Sequence, residues 1–165
     1  GEVGQASCKD GVVVFLTGVT GLVGRMVLYD LLKQSHACQQ GKGSAGGANG
    51  SRRLKQVFVL VRKIKGGRSA QDRLTELAAS PMFEPLCWSG GCRGAIVTAV
   101  EGDLGIDGLG LTRVTLAELR KAGITHALHC AASVSFSDSM PTASETNVTG
   151  SLRVASLVAS WKTCK

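Results

Sequence analysis

Residues 12–24 read Val-Val-Val-Phe-Leu-Thr-Gly-Val-Thr-Gly-Leu-Val-Gly. The apolar run 12–16 predicts a buried β-strand, and the apolar residues after Gly21 recur with helical spacing. Between the two, Gly18 permits a tight turn, Gly21 lets a pyrophosphate approach the backbone, and Gly24 lets the helix pack closely on the strand. The first N–H groups of such a helix favour phosphate. The stretch therefore indicates a dinucleotide-binding strand–turn–helix unit, with a purely structural glycine-rich turn as the alternative.

The rest of the chain repeats this alternation of strand-like apolar runs and helical patterns. Strands that are buried on both faces and separated by helices pair in parallel through right-handed crossovers. We therefore predict an α/β fold with a doubly wound parallel sheet, Rossmann-like and incomplete, of about four strands. The predicted strands are 12–16, 57–61, 95–100 and 125–130, and the predicted helices are 21–33, 70–79, 116–122 and one from Pro141 to about Ser160. On the first helix we expect one broad buried face, made of Leu22, Val23, Met26, Val27 and Leu31.

Charge and composition narrow the classes of ligand. The 165 residues carry 19 Lys and Arg against 12 Asp and Glu, a net charge of +7 that favours an anionic partner. Aromatic residues make up 4% of the chain and form no base-stacking pattern, so we expect a phosphorylated small molecule and no nucleic acid. The apolar runs are of strand length, which predicts no transmembrane segment. Nothing marks the sequence as secreted, so we expect an intracellular protein, at the cytosolic face of a membrane or in an organelle.

The spacing of cysteines and histidines predicts no metal site. The six cysteines include no Cys-x-x-Cys pair, and we expect them to be reduced thiols. His126 and His129 are three residues apart on a predicted strand, where their side chains point to opposite faces. Both are therefore interpreted as structural.

The end of the second predicted strand indicates which dinucleotide would bind. A fold specific for NAD places Asp or Glu there to hold the ribose 2′-hydroxyl. Here Arg62 follows the strand, and no acidic residue occurs before Asp72. A guanidinium suits a 2′-phosphate, so Arg62 predicts NADP(H) in preference to NAD(H), with Arg68 and Arg73 as further candidates. The alternative is a solvated basic loop.

Two later strand ends are expected to form walls of the site, because ligands of this architecture lie across the carboxyl ends of the strands. Asp103 is suited either to accept a hydrogen bond from an adenine amino group or to cap the following turn. The small residues Ala131 and Ala132 would let a cofactor lie against the backbone. Both segments therefore belong to the predicted site.

A glycine-rich run separates the first helix from the second strand. Residues 41–51 contain no apolar anchor, which predicts a flexible surface insertion. We therefore divide the chain into an N-terminal tail, residues 1–10, and one partial NADP-binding Rossmann domain, residues 11–165, that carries this insertion.

Several motifs carry a resemblance to a known family: residues 15–24, 59–62, 73–74, 80–83, 101–104, 109–111, 129–132 with Val134 and Phe136, and 147–150. Together they resemble the extended short-chain dehydrogenase/reductase superfamily, whose fingerprint is Thr-Gly-x-x-Gly-x-x-Gly. More narrowly, they are similar to the NADP-binding region of alcohol-forming fatty acyl-CoA reductases. Ser80-Pro-Met-Phe83 and His129-Cys-Ala-Ala132 favour that family. Related thioester-reductase domains of carboxylic acid reductases and peptide synthetases share much of the pattern.

The resemblance implies a role for each matching segment. Residues 20–23 would cradle the pyrophosphate, and Arg62, with Arg73, would bind the 2′-phosphate. Residues 103–104 would border the adenine, and residues 131–132 the ribose near the nicotinamide. The complete cofactor set implied in this way is Thr17, Gly18, Thr20, Gly21, Leu22, Val23, Gly24, Arg62, Arg73, Asp103, Leu104, Ala131 and Ala132.

Asn147 is the single residue to which the resemblance assigns a supporting catalytic role. It matches the helix asparagine that helps to organise a proton-relay water in the superfamily. Without the resemblance, Asn147-Val-Thr149 is a glycosylation sequon, which we discount because nothing marks the chain as secreted.

The superfamily reduces carbonyls with a Tyr-x-x-x-Lys pair and a serine that follows a fifth strand. The one formal match, Tyr29-Asp-Leu-Leu-Lys33, lies with Arg25 on the first helix, and we interpret it as a solvent-facing polar stripe. The resemblance implies the N-terminal NADPH-binding portion of a fatty acyl-CoA reductase, which reduces acyl-CoA to aldehyde or fatty alcohol. Acyl-CoA would bind through a C-terminal region outside these residues, and the segment alone would be inactive. The alternatives are a thioester-reductase domain acting on carrier-bound acyl groups and a non-catalytic NADP-binding module.

Overall fold

A computed structural model describes residues 11–39, 53–62, 67–86, 96–161 and 164, with side chains at all of these except 36–39. The predicted tail at 1–10 and the predicted insertion at 41–51 lie outside the described residues. The strands are β1 (Val12–Thr17), β2 (Leu54–Val61), β3 (Ile96–Glu101) and β4 (His126–His129). The helices are α1 (Leu22–Gln39), α2 (Ala70–Ala78), α3 (Arg113–Ala122), α4 (Met140–Ser144) and α5 (Gly150–Ala159).

The described strands form one parallel sheet in the order β3-β2-β1-β4. This is the order of the first four strands of a Rossmann fold. β1 is central, and Thr17 at its end pairs with Leu60 of β2 and with His129 of β4. Because all strands run in one direction, their carboxyl ends meet at a single edge of the sheet. The predicted doubly wound α/β architecture is confirmed.

Alternate residues of β1 point into two separate cores, one on each face of the sheet. Val14 and Leu16 pack with α1 and α2, whereas Val13 and Phe15 pack with α3 and α5. The ring of Phe15 meets that of Trp161 edge-on, with 5.3 Å between the centroids. The sequence predicts that all four strands are buried on both faces, and this prediction is confirmed for β1 and β2. The prediction is wrong for β3 and β4, whose residues are mostly half-buried or exposed. Each of these two strands pairs with one neighbour in the described sheet.

The face that α1 buries differs from the predicted one. A Cβ on Gly24 would lie 2.2 Å from the Gly18 carbonyl oxygen, so α1 approaches β1 most closely along the row of residues that contains Gly24. Leu28 and Leu32, four and eight residues further on, are buried on that row. Two members of the predicted face, Val27 and Leu31, are half-buried against the same core. The other three are exposed, at 78%, 62% and 53% for Leu22, Val23 and Met26.

Several elements are longer than the sequence pattern predicts. β2 begins at Leu54, and α1 continues to Gln39. α3 begins at Arg113 because Thr112 caps it: the Thr112 Oγ1 accepts a hydrogen bond from the Thr115 N–H at 3.1 Å. Even with the longer α1, no helix of the described ranges combines the length and the apolarity that a membrane span requires.

The last helix is interrupted, although the sequence predicts a continuous one. Pro141 lies in the first turn of α4, as predicted. Residues Glu145–Thr149 then form one π-helical turn, and α5 follows directly. Such turns are rare and frequently occur at functional sites. This one contains Asn147.

Candidate cofactor site

The backbone of the turn after β1 lies directly against the residues that follow β4. Gly18 has a φ of +78°, in the left-handed region that favours glycine. A Cβ on Gly18 would lie 2.5 Å from both the Ala131 nitrogen and the Cys130 carbonyl carbon. The Gly21 N–H donates a hydrogen bond to the Gly18 carbonyl oxygen at 2.9 Å, which closes the turn. A Cβ on Gly21 would approach no protein atom closer than 3.4 Å, so the backbone there is accessible from outside.

A crevice of about 610 Å³ lies across the carboxyl ends of all four strands. It brings together ten of the thirteen predicted cofactor residues: Thr17, Gly18, Thr20, Gly21, Arg62, Arg73, Asp103, Leu104, Ala131 and Ala132. Gly24 is buried behind the turn, and the side chains of Leu22 and Val23 point to solvent. Because α1 begins at residue 22, the N–H groups of its first turn have no partner within the helix. Those N–H groups, rather than the side chains, are what the start of α1 offers to an anion.

The wall of the crevice also contains residues that sequence reasoning missed. Four of them adjoin predicted residues at the strand ends: Leu60, Gly102, Gly105 and Cys130. Four others come from the loop after β4, from α4 and from the π turn: Ser133, Asp138, Thr142 and Thr146. The second group is rich in hydroxyl side chains, and the only signal for it in the sequence is the Ser- and Thr-rich composition of residues 133–146.

Two arginines form the basic side of the crevice. The Arg62 guanidinium is exposed, and Arg73 donates a hydrogen bond through Nη1 to the Arg62 carbonyl oxygen at 2.6 Å. Within the described ranges, neither guanidinium forms an ion pair with a carboxylate. Arg68, the third predicted candidate, is instead paired with Glu76 on α2 and does not line this crevice.

Asp72 is used to start α2. Ser69 and Asp72 form a capping box in which the Asp72 N–H donates to the Ser69 Oγ at 3.1 Å and the Ser69 N–H donates to the Asp72 carboxylate at 2.9 Å. Hydrogen bonds from the Ser69 side chain and backbone lower the pKa of Asp72 below its usual value. The box places Arg73 in the first turn of the helix, beside the end of β2.

Asp103 caps the turn that follows β3, one of the two roles that the sequence left open, and it does so at the wall of the crevice. Its Oδ1 accepts a hydrogen bond from the Gly105 N–H at 2.9 Å. The Asp103 N–H donates to the carbonyl oxygen of Leu109, a fully buried residue in the left-handed region with a φ of +59°. The loop after β3 is therefore held in one shape where it forms the wall.

Arg153 on α5 attaches the loop after β3 to the last helix. Its Nη1 donates to the Leu104 carbonyl oxygen at 3.0 Å and to Glu145 Oε1 at 2.6 Å. Its Nε donates to Asp107 Oδ1 at 2.8 Å. The hydrogen bonds that Arg153 donates to Glu145 and then to Asp107 raise the pKa of Arg153 above its usual value. One side chain thus connects the Leu104 wall to the π turn.

The end of β4 is held by hydrogen bonds on both nitrogens of His129. Nδ1 lies 2.6 Å from Thr17 Oγ1, and Nε2 lies 3.0 Å from Ser151 Oγ. Although the residue as a whole is exposed, burial of the imidazole lowers the pKa of His129 below the usual 6.5. His126 lies at the other end of the strand, with its Nδ1 at 2.9 Å from Thr125 Oγ1. Among the described residues, no group of three or more His, Cys, Asp and Glu side chains is placed to hold a metal ion.

Asn147 contacts the crevice indirectly, through the loop after β4. Its Oδ1 accepts a hydrogen bond from the Ser133 N–H at 2.7 Å, and its Nδ2 donates to the Ser133 carbonyl oxygen at 2.9 Å. Ser133 lines the crevice and donates from Oγ to Asp138 Oδ2 at 2.6 Å. The side chain of Asn147 therefore holds a wall of the crevice from behind.

The Tyr29–Lys33 pair lies away from the crevice, but its predicted solvent exposure is wrong for Tyr29. The Tyr29 ring is half-buried and meets the Phe83 ring edge-on, with 6.0 Å between the centroids. The Lys33 ammonium lies 6.0 Å from the centroid of the tyrosine ring. Tyr29 is turned towards the core because the short 3₁₀ turn Glu84–Leu86 brings Phe83 against α1.

The crevice therefore has three chemically different parts. Guanidinium groups stand at the β2 side, a glycine backbone and a helix N-terminus lie in the centre, and hydroxyl groups with one carboxylate occupy the side towards α4. This arrangement suits an extended ligand that carries phosphates and sugar hydroxyls.

Sequence comparison relates the chain to a known family. Residues 49–165 match the model of the NAD-binding family described as Male sterility protein. The chain is 27% identical over 147 residues to fatty acyl-CoA reductase wat of Drosophila melanogaster. It is 28% identical over 139 residues to fatty acyl-CoA reductase 1 of Mus musculus. The alignments cover 87% and 84% of this chain and 24% of each relative, so the chain spans about a quarter of the length of the curated relatives it matches.

Structure comparison shows the same fold in reductase domains. The terminal R domain from the myxalamid PKS-NRPS biosynthetic pathway is similar with a TM-score of 0.61 at 19% identity, over 94% of this chain and 34% of that one. A thiolation-reductase di-domain from an archaeal non-ribosomal peptide synthetase gives a TM-score of 0.59 at 19% identity, over 94% and 27%. At these identities the similarity concerns the fold alone, and it agrees with the Rossmann-like sheet.

Proposed function

Because the chain belongs to the NAD-binding family described as Male sterility protein, we propose that its crevice binds NADPH and that it is the NADPH-binding portion of a fatty acyl-CoA reductase. Such an oxidoreductase reduces an acyl-CoA thioester to an aldehyde or fatty alcohol. The similarity to fatty acyl-CoA reductases of Drosophila melanogaster and Mus musculus supports acyl-CoA in preference to a carrier-bound acyl group. We assign the binding of acyl-CoA to parts of the protein beyond this crevice.

The observation that carries the proposal is that one crevice contains both the Gly18–Gly21 turn and Arg62. Gly21 leaves the backbone accessible to a diphosphate, and the N–H groups that begin α1 favour its charge. Arg62 and Arg73 line the basic side of the crevice, where they would neutralise a 2′-phosphate. Leu104 and Ala131 also line the crevice and would form walls against the two nucleoside ends. The residues therefore fit a dinucleotide. When bound, NADPH supplies the hydride for reduction of the thioester.

NADPH is proposed in preference to NADH because of the charge at the end of β2. A carboxylate there would accept hydrogen bonds from a ribose 2′-hydroxyl, but the residue present is Arg62. A hydrogen bond between ionised partners contributes about 1.5–3 kcal/mol, which corresponds to roughly tenfold or more in affinity. The exposed Arg62 guanidinium is free to reorient towards a phosphate, while Arg73 anchors the backbone behind it.

Isothermal titration calorimetry tests the proposal. We expect the chain to bind NADPH more tightly than NADH, and Arg62→Ala to weaken NADPH binding about tenfold while NADH binding stays unchanged. Arg120→Ala, at an exposed arginine on α3 outside the crevice, is the matched control and should change neither affinity. Equal affinities for the two cofactors would overturn the assignment to NADPH. Binding of neither would overturn the cofactor site itself.

Activity assays on the whole protein that contains this chain distinguish the remaining possibilities. We expect NADPH oxidation that depends on acyl-CoA. Oxidation that depends on an acyl group attached to a carrier domain would favour a thioester-reductase domain instead. Cofactor binding with no turnover of either thioester would favour a non-catalytic NADP-binding module.

A further inference from the structure

A chain of three hydrogen bonds runs from the floor of the crevice to the π turn. Thr17 Oγ1 lies 2.6 Å from His129 Nδ1, and His129 Nε2 lies 3.0 Å from Ser151 Oγ. Ser151 Oγ in turn donates to the Asn147 carbonyl oxygen at 2.6 Å. The chain connects β1, β4 and the last helix, although Thr17 and His129 are 112 residues apart in the sequence.

For a neutral imidazole, the donors and acceptors of these three hydrogen bonds can be assigned in only one way. The Ser151 hydroxyl has a single hydrogen, which it gives to the Asn147 carbonyl oxygen, so His129 Nε2 must be the donor to Ser151 Oγ. A neutral imidazole that is protonated at Nε2 has a bare Nδ1, which accepts the hydrogen of the Thr17 hydroxyl. The lowered pKa of His129 agrees with a neutral ring near pH 7.

The orientation of the Thr17 hydroxyl matters because its oxygen also contacts the end of β4. With its hydrogen directed at His129, Thr17 Oγ1 accepts a hydrogen bond from the Ala131 N–H at 3.4 Å. That same nitrogen is the atom that a Cβ on Gly18 would approach to 2.5 Å. Thr17, Gly18 and Ala131 all line the crevice. The hydroxyl of the fully buried Thr17 therefore helps to hold the Cys130–Ala131 peptide against the glycine turn.

We propose that His129 is a positioning residue of the cofactor site, which orients the Thr17 hydroxyl and thereby sets the spacing between the Gly18 turn and the Ala131 wall. This inference rests on the proposed function, because it takes the crevice to be the binding site of NADPH. Ser151 fixes the ring from its other side, and the Asn147 carbonyl oxygen fixes Ser151. The hydrogen bond between His129 Nδ1 and Thr17 orients the threonine hydroxyl at the crevice. The hydrogen bond between His129 Nε2 and Ser151 selects the tautomer of the imidazole.

Two amide substitutions test the hydrogen bonds of the two imidazole nitrogens separately. In His129→Asn, the amide oxygen takes the place of Nδ1 and can accept from Thr17. In His129→Gln, the amide nitrogen takes the place of Nε2 and can donate to Ser151. We expect His129→Asn to bind NADPH within about twofold of the unaltered chain, and His129→Gln to weaken binding of both NADPH and NADH by about fivefold to tenfold.

Variants at Thr17 test the threonine hydroxyl itself, and a variant at His126 serves as the control. Thr17→Val removes the hydroxyl at nearly constant volume and should weaken binding as His129→Gln does, whereas Thr17→Ser should keep it. If Thr17→Val does not fold, the Asn and Gln variants of His129 still test the contact between His129 and Thr17. His126→Gln, at the β4 histidine that lies outside the crevice, is the matched control and should leave both affinities unchanged.

Long-range ¹H–¹⁵N NMR of the imidazoles provides a readout that loss of stability alone would not move. We expect His129 to be neutral and protonated at Nε2 near pH 7, and this tautomer to lose its preference in Ser151→Ala. Protonation at Nδ1 in the unaltered chain, or equal dinucleotide affinity in the unaltered chain and in His129→Gln, would overturn the inference alone. Binding of neither dinucleotide by the unaltered chain would overturn the proposed function and this inference with it.

Discussion

The Arg73 guanidinium donates a hydrogen bond to the Arg62 carbonyl oxygen at 2.6 Å, which joins the first turn of α2 to the end of β2. Both arginines line the crevice, so two cations stand on the same wall. The capping box of Ser69 and Asp72 determines where α2 begins and hence where Arg73 stands. The basic side of the crevice therefore depends on the start of a helix as well as on the residue that follows a strand.

This contact predicts that Arg62 and Arg73 act on NADPH as a coupled pair. In a double-mutant cycle by calorimetry, Arg62→Ala and Arg73→Ala should each weaken NADPH binding. Their effects should differ from additivity by at least about 0.5 kcal/mol, because loss of Arg73 also releases the backbone that carries Arg62. Arg68→Ala, whose side chain is paired with Glu76, should combine additively with Arg62→Ala. Additive effects of Arg62 and Arg73 would contradict the coupling.

Gly21 and Gly24 should respond to alanine in different ways. A Cβ on Gly24 would lie 2.2 Å from the Gly18 carbonyl oxygen, so Gly24→Ala should lower the free energy of unfolding by about 1–3 kcal/mol. A Cβ on Gly21 meets no atom closer than 3.4 Å, so Gly21→Ala should remain about as stable but bind NADPH weakly, since the methyl group occupies the phosphate approach. Urea denaturation and calorimetry measure the two effects. The same response in both variants would show that the turn has only a structural role.

Asn147 should matter through the loop after β4. Asn147→Ala removes the partners of both the Ser133 N–H and the Ser133 carbonyl oxygen, and should cost about 1–3 kcal/mol in the free energy of unfolding. Asn147→Asp keeps an acceptor for the Ser133 N–H but loses the donor, so its loss of stability should be smaller. Amide hydrogen exchange at Ser133 should be faster in the alanine variant than in the aspartate variant. Unchanged exchange in both would mean that the loop is held by other contacts.

The stability of the chain should depend on pH through His129. Burial holds the pKa of this imidazole below the usual 6.5, so the unfolded chain takes up the proton first as the pH falls. The stabilising contribution of the neutral ring is therefore complete above about pH 6.5 and is lost progressively below it, towards the lowered pKa. We expect the urea midpoint to fall more between about pH 7.5 and pH 5.5 in the unaltered chain than in His129→Asn, which cannot titrate. Parallel pH profiles in the two proteins would mean that the pKa of His129 is not lowered by folding.

The strand ends that carry the site could be recognised from sequence because each is marked locally. The apolar run before Gly18 predicts a strand, and the glycines predict the turn that follows it. Arg62, Asp103 and Ala131 each come directly after a predicted strand, and parallel strands bring such positions to one edge of the sheet. The sequence pattern and the family resemblance together therefore identify ten residues that do line one crevice.

The remaining part of the wall could not be read from any local pattern. Thr142 lines the crevice from the short helix α4, and Thr146 lines it from the π turn that follows. No periodicity in the sequence marks that turn. The exposure of Leu22 and Met26 follows from how closely Gly24 lies on β1, which is a relation between two elements. The apolar residues of a helix predict that one of its faces is buried, and the packing of the helix on its neighbours determines which face that is.

Residue order along the chain was sufficient for the strand–turn–helix unit, the parallel sheet and the positions of the strand ends, because these depend on the chemistry of neighbouring residues. Folding in three dimensions was needed to place His129 between Thr17 and Ser151, and Arg153 between Leu104 and Glu145. Those contacts join residues that are up to 112 positions apart. Their partners are set by strand register and helix phase, and a side chain's own neighbours in sequence carry no information about either.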